Sequence, residues 1–158
     1  MMRLTLLRHA TAVESDKWSG TDADRPLTNA GIAAAEMTLK ATRQSIKAVE
    51  IWTSPTVRTR QTAELASTIW KLPIRETEWL APSALATAER AARLQLHTDV
   101  VLIGHDPDLS DLVRFLCGAR IELKKSGIVI LKGNPRQGEM VLRGLFCPKH
   151  IDKITTAK

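Results

Sequence analysis

The apolar positions of this chain change their spacing several times between the N-terminus and residue 145, and each change predicts an element. Leu4, Leu6 and Leu7 cluster and alternate within residues 3–8, as in a short buried strand. Residues 14–25 are polar and contain glycine, so they read as a loop. Thr28 is placed to cap a helix running through Ala33–Lys40. Residues 48–53 form a second strand pattern. Ser54-Pro55 then reads as an N-cap followed by proline at the first helical position. The helix it opens carries Val57, Leu65 and Ile69 on one stripe, at multiples of four. Pro73–Glu76 reads as a short strand and Ser83–Leu96 as an alanine-rich helix. Asp99–Ile103 is a continuous apolar run, the signature of a parallel strand covered on both faces. Asp106-Pro107 repeats the cap-plus-proline start, with Leu109, Leu112, Val113 and Leu116 following at helical spacing. Gly127–Leu131 and Met140–Leu145 read as two edge strands joined through Asn134-Pro135.

Strands alternating with helices predict an α/β, three-layer sandwich whose central sheet is mainly parallel, with helices on both faces. At 158 residues the expectation is one domain spanning 1–158, with a basic C-terminal tail from about residue 148. No apolar run approaches a membrane span, and the first eight residues meet charge too soon for a signal peptide. Cys117 and Cys147 are too few for a disulfide framework or a zinc site. The expectation is a cytoplasmic protein without membrane contact, cofactor or metal.

Charge refines this picture. Up to Ala119 the chain has 14 basic and 14 acidic residues, whereas from Arg120 onward nine bases face three acids. The whole net charge of +6 therefore sits in the last quarter. Such asymmetry fits either an acidic or nucleic-acid partner or a solvated face. Phe146 is the one aromatic residue among these bases, which leaves base stacking little support and argues against nucleic acid.

Three strand ends carry candidate chemistry. Arg8-His9 follows the first strand, Ser54-Pro55-Thr56-Val57-Arg58 the second, and Gly104-His105-Asp106-Pro107 the apolar run at 99–103. Ligands of open α/β sheets bind beyond the carboxyl ends of the strands. Arg58 lies in the first turn of its helix, where free N–H groups and the dipole favour an anion. Arginine grips phosphate with a planar fork, and a neutral imidazole can attack phosphorus. Two histidines and two arginines at one sheet edge thus point to phosphoryl handling.

These segments also resemble a known family. Leu6-Leu7-Arg8-His9-Ala10 resembles the arginine–histidine–glycine signature of the histidine phosphatase (phosphoglycerate mutase-like) superfamily. Ser54-Pro55-Thr56-Val57-Arg58-Thr59-Arg60-Gln61-Thr62 resembles its second signature, and Ile103–Pro107 its second histidine motif. Arg25-Pro26-Leu27-Thr28 with Gly31 is similar to a segment of the short SixA-type phosphohistidine phosphatases. The resemblance covers residues from about 3 to 117. It implies a two-step, metal-independent transfer in which His9 becomes phosphorylated and water then releases phosphate. It also implies a phosphate pocket of Arg8, Arg58 and His105, with Arg25 contributing.

Two departures stand out. Ala10 replaces the usual glycine, where a positive φ would strain alanine. Larger relatives carry a glutamate in an inserted lobe as general acid; here the corresponding segment, 73–82, is short. Glu78 is its best placed candidate and Glu76 the second, the alternative for each being a solvated loop carboxylate. A compact chain without a lid suits a phosphorylated protein side chain, and a P–N bond asks less of an acid than an ester. The reading is therefore removal of phosphate from phosphohistidine in proteins. The alternatives are a small-molecule phosphomonoesterase using the same nucleophile and a non-catalytic phosphate- or phosphoprotein-binding module. No segment resembles those by which mutases retain substrate. Trp18 and Trp79 are expected on loops near the pocket, and Trp52 and Trp70 in the core.

Overall fold

The computed structural model describes residues 1–94 and 98–157. Its six strands are β1 (Met2–Arg8), β2 (Glu50–Thr53), β3 (Ile74–Glu76), β4 (Val100–Gly104), β5 (Ile128–Gly133) and β6 (Met140–Phe146). They form one sheet in the order β3-β2-β4-β1-β5-β6. The first four in that order are mutually parallel; β5 and β6 are antiparallel to their neighbours. The architecture is the expected α/β sandwich.

Side-chain alternation divides the core between the two faces. Leu7, Ile51, Val101, Ile103, Ile128 and Ile130 pack beneath α1 (Asn29–Thr42) and α2 (Val57–Trp70). The helices meet that face largely through Ala35, Leu39, Ala63, Ala66 and Trp70. Trp70 donates its indole N–H to the Leu39 carbonyl (3.0 Å), joining the two helices. On the other face, Leu4, Leu6, Leu102, Val129 and Leu131 pack against α3 (Thr87–Leu94) and α4 (Asp108–Cys117). All five residues of β4 are buried, because helices cover both sides of it. That environment explains its unbroken apolar run.

Register places the chemistry. Arg8 on β1 lies opposite Gly104 on β4, and Thr53 on β2 lies opposite Ile103. His9 N–H donates to the Gly104 carbonyl and Ser54 N–H to the Ile103 carbonyl, each at 3.1 Å, extending the ladder by one residue. Residues 8–9, 54 and 104–105 thus stand side by side at the carboxyl ends of three adjacent strands.

Several local expectations change. Helix α2 begins at Val57 with Thr56 at the cap, so Ser54 is not a cap; its hydroxyl is hydrogen-bonded to a histidine. Pro107 occupies the cap of α4 rather than its first turn, and the Asp106 carboxylate accepts from Ser110 N–H. β5 is interior, paired on both sides, so of these two strands β6 alone lies at an edge. The basic tail expected from about residue 148 is instead helix α5 (Pro148–Thr156), packed on α1 with Ile151 buried. The helix expected to reach Leu96 is α3, and Leu96 itself lies outside the described residues. Thr28 caps α1 as expected, accepting from Gly31 N–H at 2.9 Å. Gly31 is required there, since a Cβ would stand 2.2 Å from the Thr11 carbonyl oxygen.

Candidate active site

Arg8, His9, Arg25, Arg58 and His105 line one pocket of about 300 Å³, together with Ala12, Pro82, Asp106 and Lys125. A cleft of about 450 Å³ beside Val49, Asp99 and Asn134 is larger, but no histidine or arginine lines it. Chemistry, not volume, identifies the site.

His9 is buried, and its Nδ1 lies 2.7 Å from the Ala10 carbonyl oxygen. A carbonyl can only accept, so Nδ1 carries the proton and Nε2 keeps its lone pair. Burial is the main force pushing the His9 pKa down to about 3, reinforced by His105, Arg58 and Arg8. The imidazole is consequently neutral at physiological pH, the state a nucleophile needs. Its neighbour His105 lies with ring centroids 5.3 Å away. Burial first, then Arg58, lowers the His105 pKa to about 4. His105 Nδ1 is 3.4 Å from Arg58 Nη2, a group that only donates, while Nε2 is 2.8 Å from Ser54 Oγ. The proton therefore sits on Nε2 and is donated to Ser54.

The arginines are held from behind. Arg8 Nη1 donates to the Leu123 carbonyl at 2.9 Å. Arg58 Nη1 donates to the Asp22 carbonyl (2.8 Å), and its Nη2 pairs with the Asp22 carboxylate (3.1 Å). Arg25 donates through Nη1 to the Val13 carbonyl (2.6 Å) and through Nε to the same Asp22 carboxylate (2.9 Å). The hydrogen bond from Arg25 holds the Asp22 carboxyl below the usual range, with Arg58 adding to the effect. The Nε atoms of Arg8 and Arg58 are buried and have no hydrogen-bond partner among the described residues. Unsatisfied buried donors at a cationic pocket are what an incoming oxyanion would satisfy. Among the described residues no group of three or more His, Cys, Asp or Glu side chains is arranged to hold a metal ion.

Outside the pocket, Thr62 Oγ1 accepts from Ala10 N–H at 3.0 Å, and Gln61 Oε1 from Leu27 N–H at 2.7 Å. The Gln61-Thr62 pair thus fixes the loops that carry His9 and Arg25. Ala10 is fully buried and is not among the residues with positive φ, so alanine replaces glycine there without backbone strain.

Other expectations move. Glu78 is exposed in the turn Glu78–Leu80, and Glu76 is paired with Arg60 at 2.7 Å; neither lines the pocket. Trp79 packs edge-on against Trp52 in the core (6.0 Å), and Trp18 donates to the Thr21 carbonyl within its own loop; neither lines the pocket. Trp52 and Trp70 are buried, as expected. Asp22, Ser54 and Lys125 were not foreseen as site residues. For Asp22 a signal existed: an aspartate three residues before Arg25, on the same polar loop.

A neutral imidazole ringed by guanidinium groups, at the carboxyl ends of an α/β sheet, defines the class as a phosphoryl-handling site. The model of the histidine phosphatase superfamily (branch 1) matches residues 4–91, more than half of the sequence, and the chain belongs to that superfamily. Comparison with curated proteins finds no match. Among solved structures, the protein histidine phosphatase SixA complexed with tungstate is 22% identical. The match covers 95% of this chain and 99% of that one, with a TM-score of 0.84. The α-ribazole phosphatase of Shigella flexneri is 20% identical over 93% and 97% of the two chains, with a TM-score of 0.71. A phosphoserine phosphatase of Entamoeba histolytica in complex with 3-phosphoglyceric acid is 16% identical over 96% and 100%, with a TM-score of 0.70. At these identities the likeness is one of fold.

Proposed function

We propose that this chain is a phosphohistidine phosphatase acting on phosphorylated histidine in proteins, with His9 as nucleophile. The observation that carries the reading is the absence of a free carboxylate among the described residues lining the pocket. Asp106 is engaged by Ser110 through both its oxygens, and the Asp22 carboxylate behind Arg58 is bound to two arginines. An ester would expel an alkoxide, which needs a proton from a positioned acid. A phosphohistidine protonated at its other ring nitrogen expels a neutral imidazole and needs none. The similar fold of SixA holding tungstate, a tetrahedral oxyanion, is consistent with this reading.

In the first step, the His9 Nε2 lone pair attacks phosphorus as the P–N bond to the substrate imidazole breaks. Arg8, Arg58 and Arg25 face the charge on the transferring oxygens. Water then attacks phosphorus, the Nε2–P bond breaks, and orthophosphate leaves with His9 neutral again. His105, whose Nε2–H is donated to Ser54, stands beside the His9 ring as a neutral imidazole.

The test is dephosphorylation of a phosphohistidine-bearing protein beside a small phosphomonoester. Wild type should clear the phosphohistidine preferentially, and His9→Ala should abolish both turnover and labelling of the enzyme. Faster turnover of the ester would replace this reading with the phosphomonoesterase. Phosphate binding without any turnover would replace it with the non-catalytic module.

A further inference from the structure

The charge concentrated in the last quarter of the chain has no part in the pocket chemistry except at Lys125. The fold gathers three of those bases in one place. A groove of about 420 Å³ is lined by Arg8, Lys124, Lys125, Cys147, Pro148 and Lys149. Arg8 and Lys125 also line the catalytic pocket, so the two depressions share a wall. Residues 124–125 come from the loop before β5 and residues 147–149 from the start of α5, segments brought together beyond the sheet edge that carries His9. Lys124, Lys125 and Lys149 are exposed. Lys124 pairs with Glu122, whereas Lys125 and Lys149 have no ion pair among the described residues. Four cationic side chains thus border the groove, whose own surface is almost wholly apolar.

From this continuity and this charge we infer that the groove is a docking surface for an acidic polypeptide segment lying next to the phosphorylated residue of a protein substrate. The inference rests on the phosphohistidine reading and specifies which substrate proteins it takes. With the phosphoryl group in the pocket, the chain carrying it would leave over the shared wall of Arg8 and Lys125 and run between Lys124 and Lys149. Aspartate or glutamate side chains beside the groove would meet the solvent-exposed lysine charges, while its apolar lining, Cys147 and Pro148 included, takes the carbon of the peptide's side chains. No aromatic side chain lines the groove, so it offers single-stranded nucleic acid no platform for stacking.

The experiment uses two labelled peptides carrying a non-hydrolysable phosphohistidine analogue, one flanked by aspartates and the other by lysines in the same positions. Fluorescence anisotropy with the full chain should show the acidic peptide binding at least about tenfold more tightly, with the advantage shrinking as salt rises. In a Lys124→Glu/Lys149→Glu double variant the preference should vanish, while turnover of a small phosphoryl substrate stays at the wild-type level. Equal affinity for the two peptides, or binding of neither, would overturn the docking surface. So would an oligonucleotide that binds the groove more tightly than the acidic peptide and is released in the double variant. A retained acidic preference without turnover of authentic phosphohistidine would keep the docking surface and sink the proposed activity instead.

Discussion

Asp22 governs the site at the scale of single residues. Its carboxylate and carbonyl together occupy both terminal nitrogens of Arg58, and it also binds Arg25. The carbonyl contact would remain without the carboxylate, whose negative charge offsets part of the guanidinium charge offered to a phosphoryl group. Its side chain is 62% exposed, which limits the worth of that ion pair to roughly 1 kcal/mol or less. Asp22→Asn should therefore tighten inhibition by inorganic phosphate by about two- to fivefold, read as a lower Ki in steady-state kinetics. Weaker inhibition would show that the carboxylate orients the arginines more than it competes for them. Strand-end placement made His9, Arg58 and His105 legible in the sequence. The contact of Asp22 with Arg58 was not, because it spans 36 positions and depends on how the loop before α1 folds back.

At the scale of elements, the wall of the pocket at Pro82 depends on a distant ion pair. Arg90 on α3 bonds Asp108 on α4 at 3.0 Å, and its side chain is 3% exposed. Arg90 also donates to the Ala81 carbonyl, and Asp108 accepts from Ser83 N–H at 2.9 Å. The loop holding Pro82 is thereby strapped to both helices. Removing one partner of a buried pair leaves the other uncompensated and costs roughly 3–5 kcal/mol. Arg90→Ala should lower stability by about 3 kcal/mol in urea titration, near the bottom of that range because Asp108 keeps some solvent contact. It should also raise KM more than it lowers kcat, since the chemistry itself is untouched. A variant with wild-type stability would mean that the strap is redundant. Helix and strand identities were legible from periodicity and caps such as Thr28, whereas the false cap at Ser54 was not. Its hydroxyl follows His105, a neighbour created only when β2 and β4 pair.

Across the whole molecule, two buried neutral histidines make folding sensitive to acid. His9 and His105 have folded-state pKa values of about 3 and about 4, below the 6.5 of an unfolded histidine. Between those limits the unfolded chain binds more protons, so stability falls as pH drops from about 6.5 toward 3. His9→Gln and His105→Gln should each shift the midpoint of acid unfolding, followed by circular dichroism, to lower pH. A midpoint unchanged in both would show that other groups control acid unfolding. The family, the α/β class and the strand-end position of the chemistry were determined by the sequence alone, because periodicity, caps and short motifs are local. Only the tertiary structure decided that Glu78 stands outside the pocket, that Asp22 binds its arginines, and that lysines 25 positions apart flank one groove. These facts follow from strand order and loop closure, which join residues by spatial contact at separations no sequence pattern encodes.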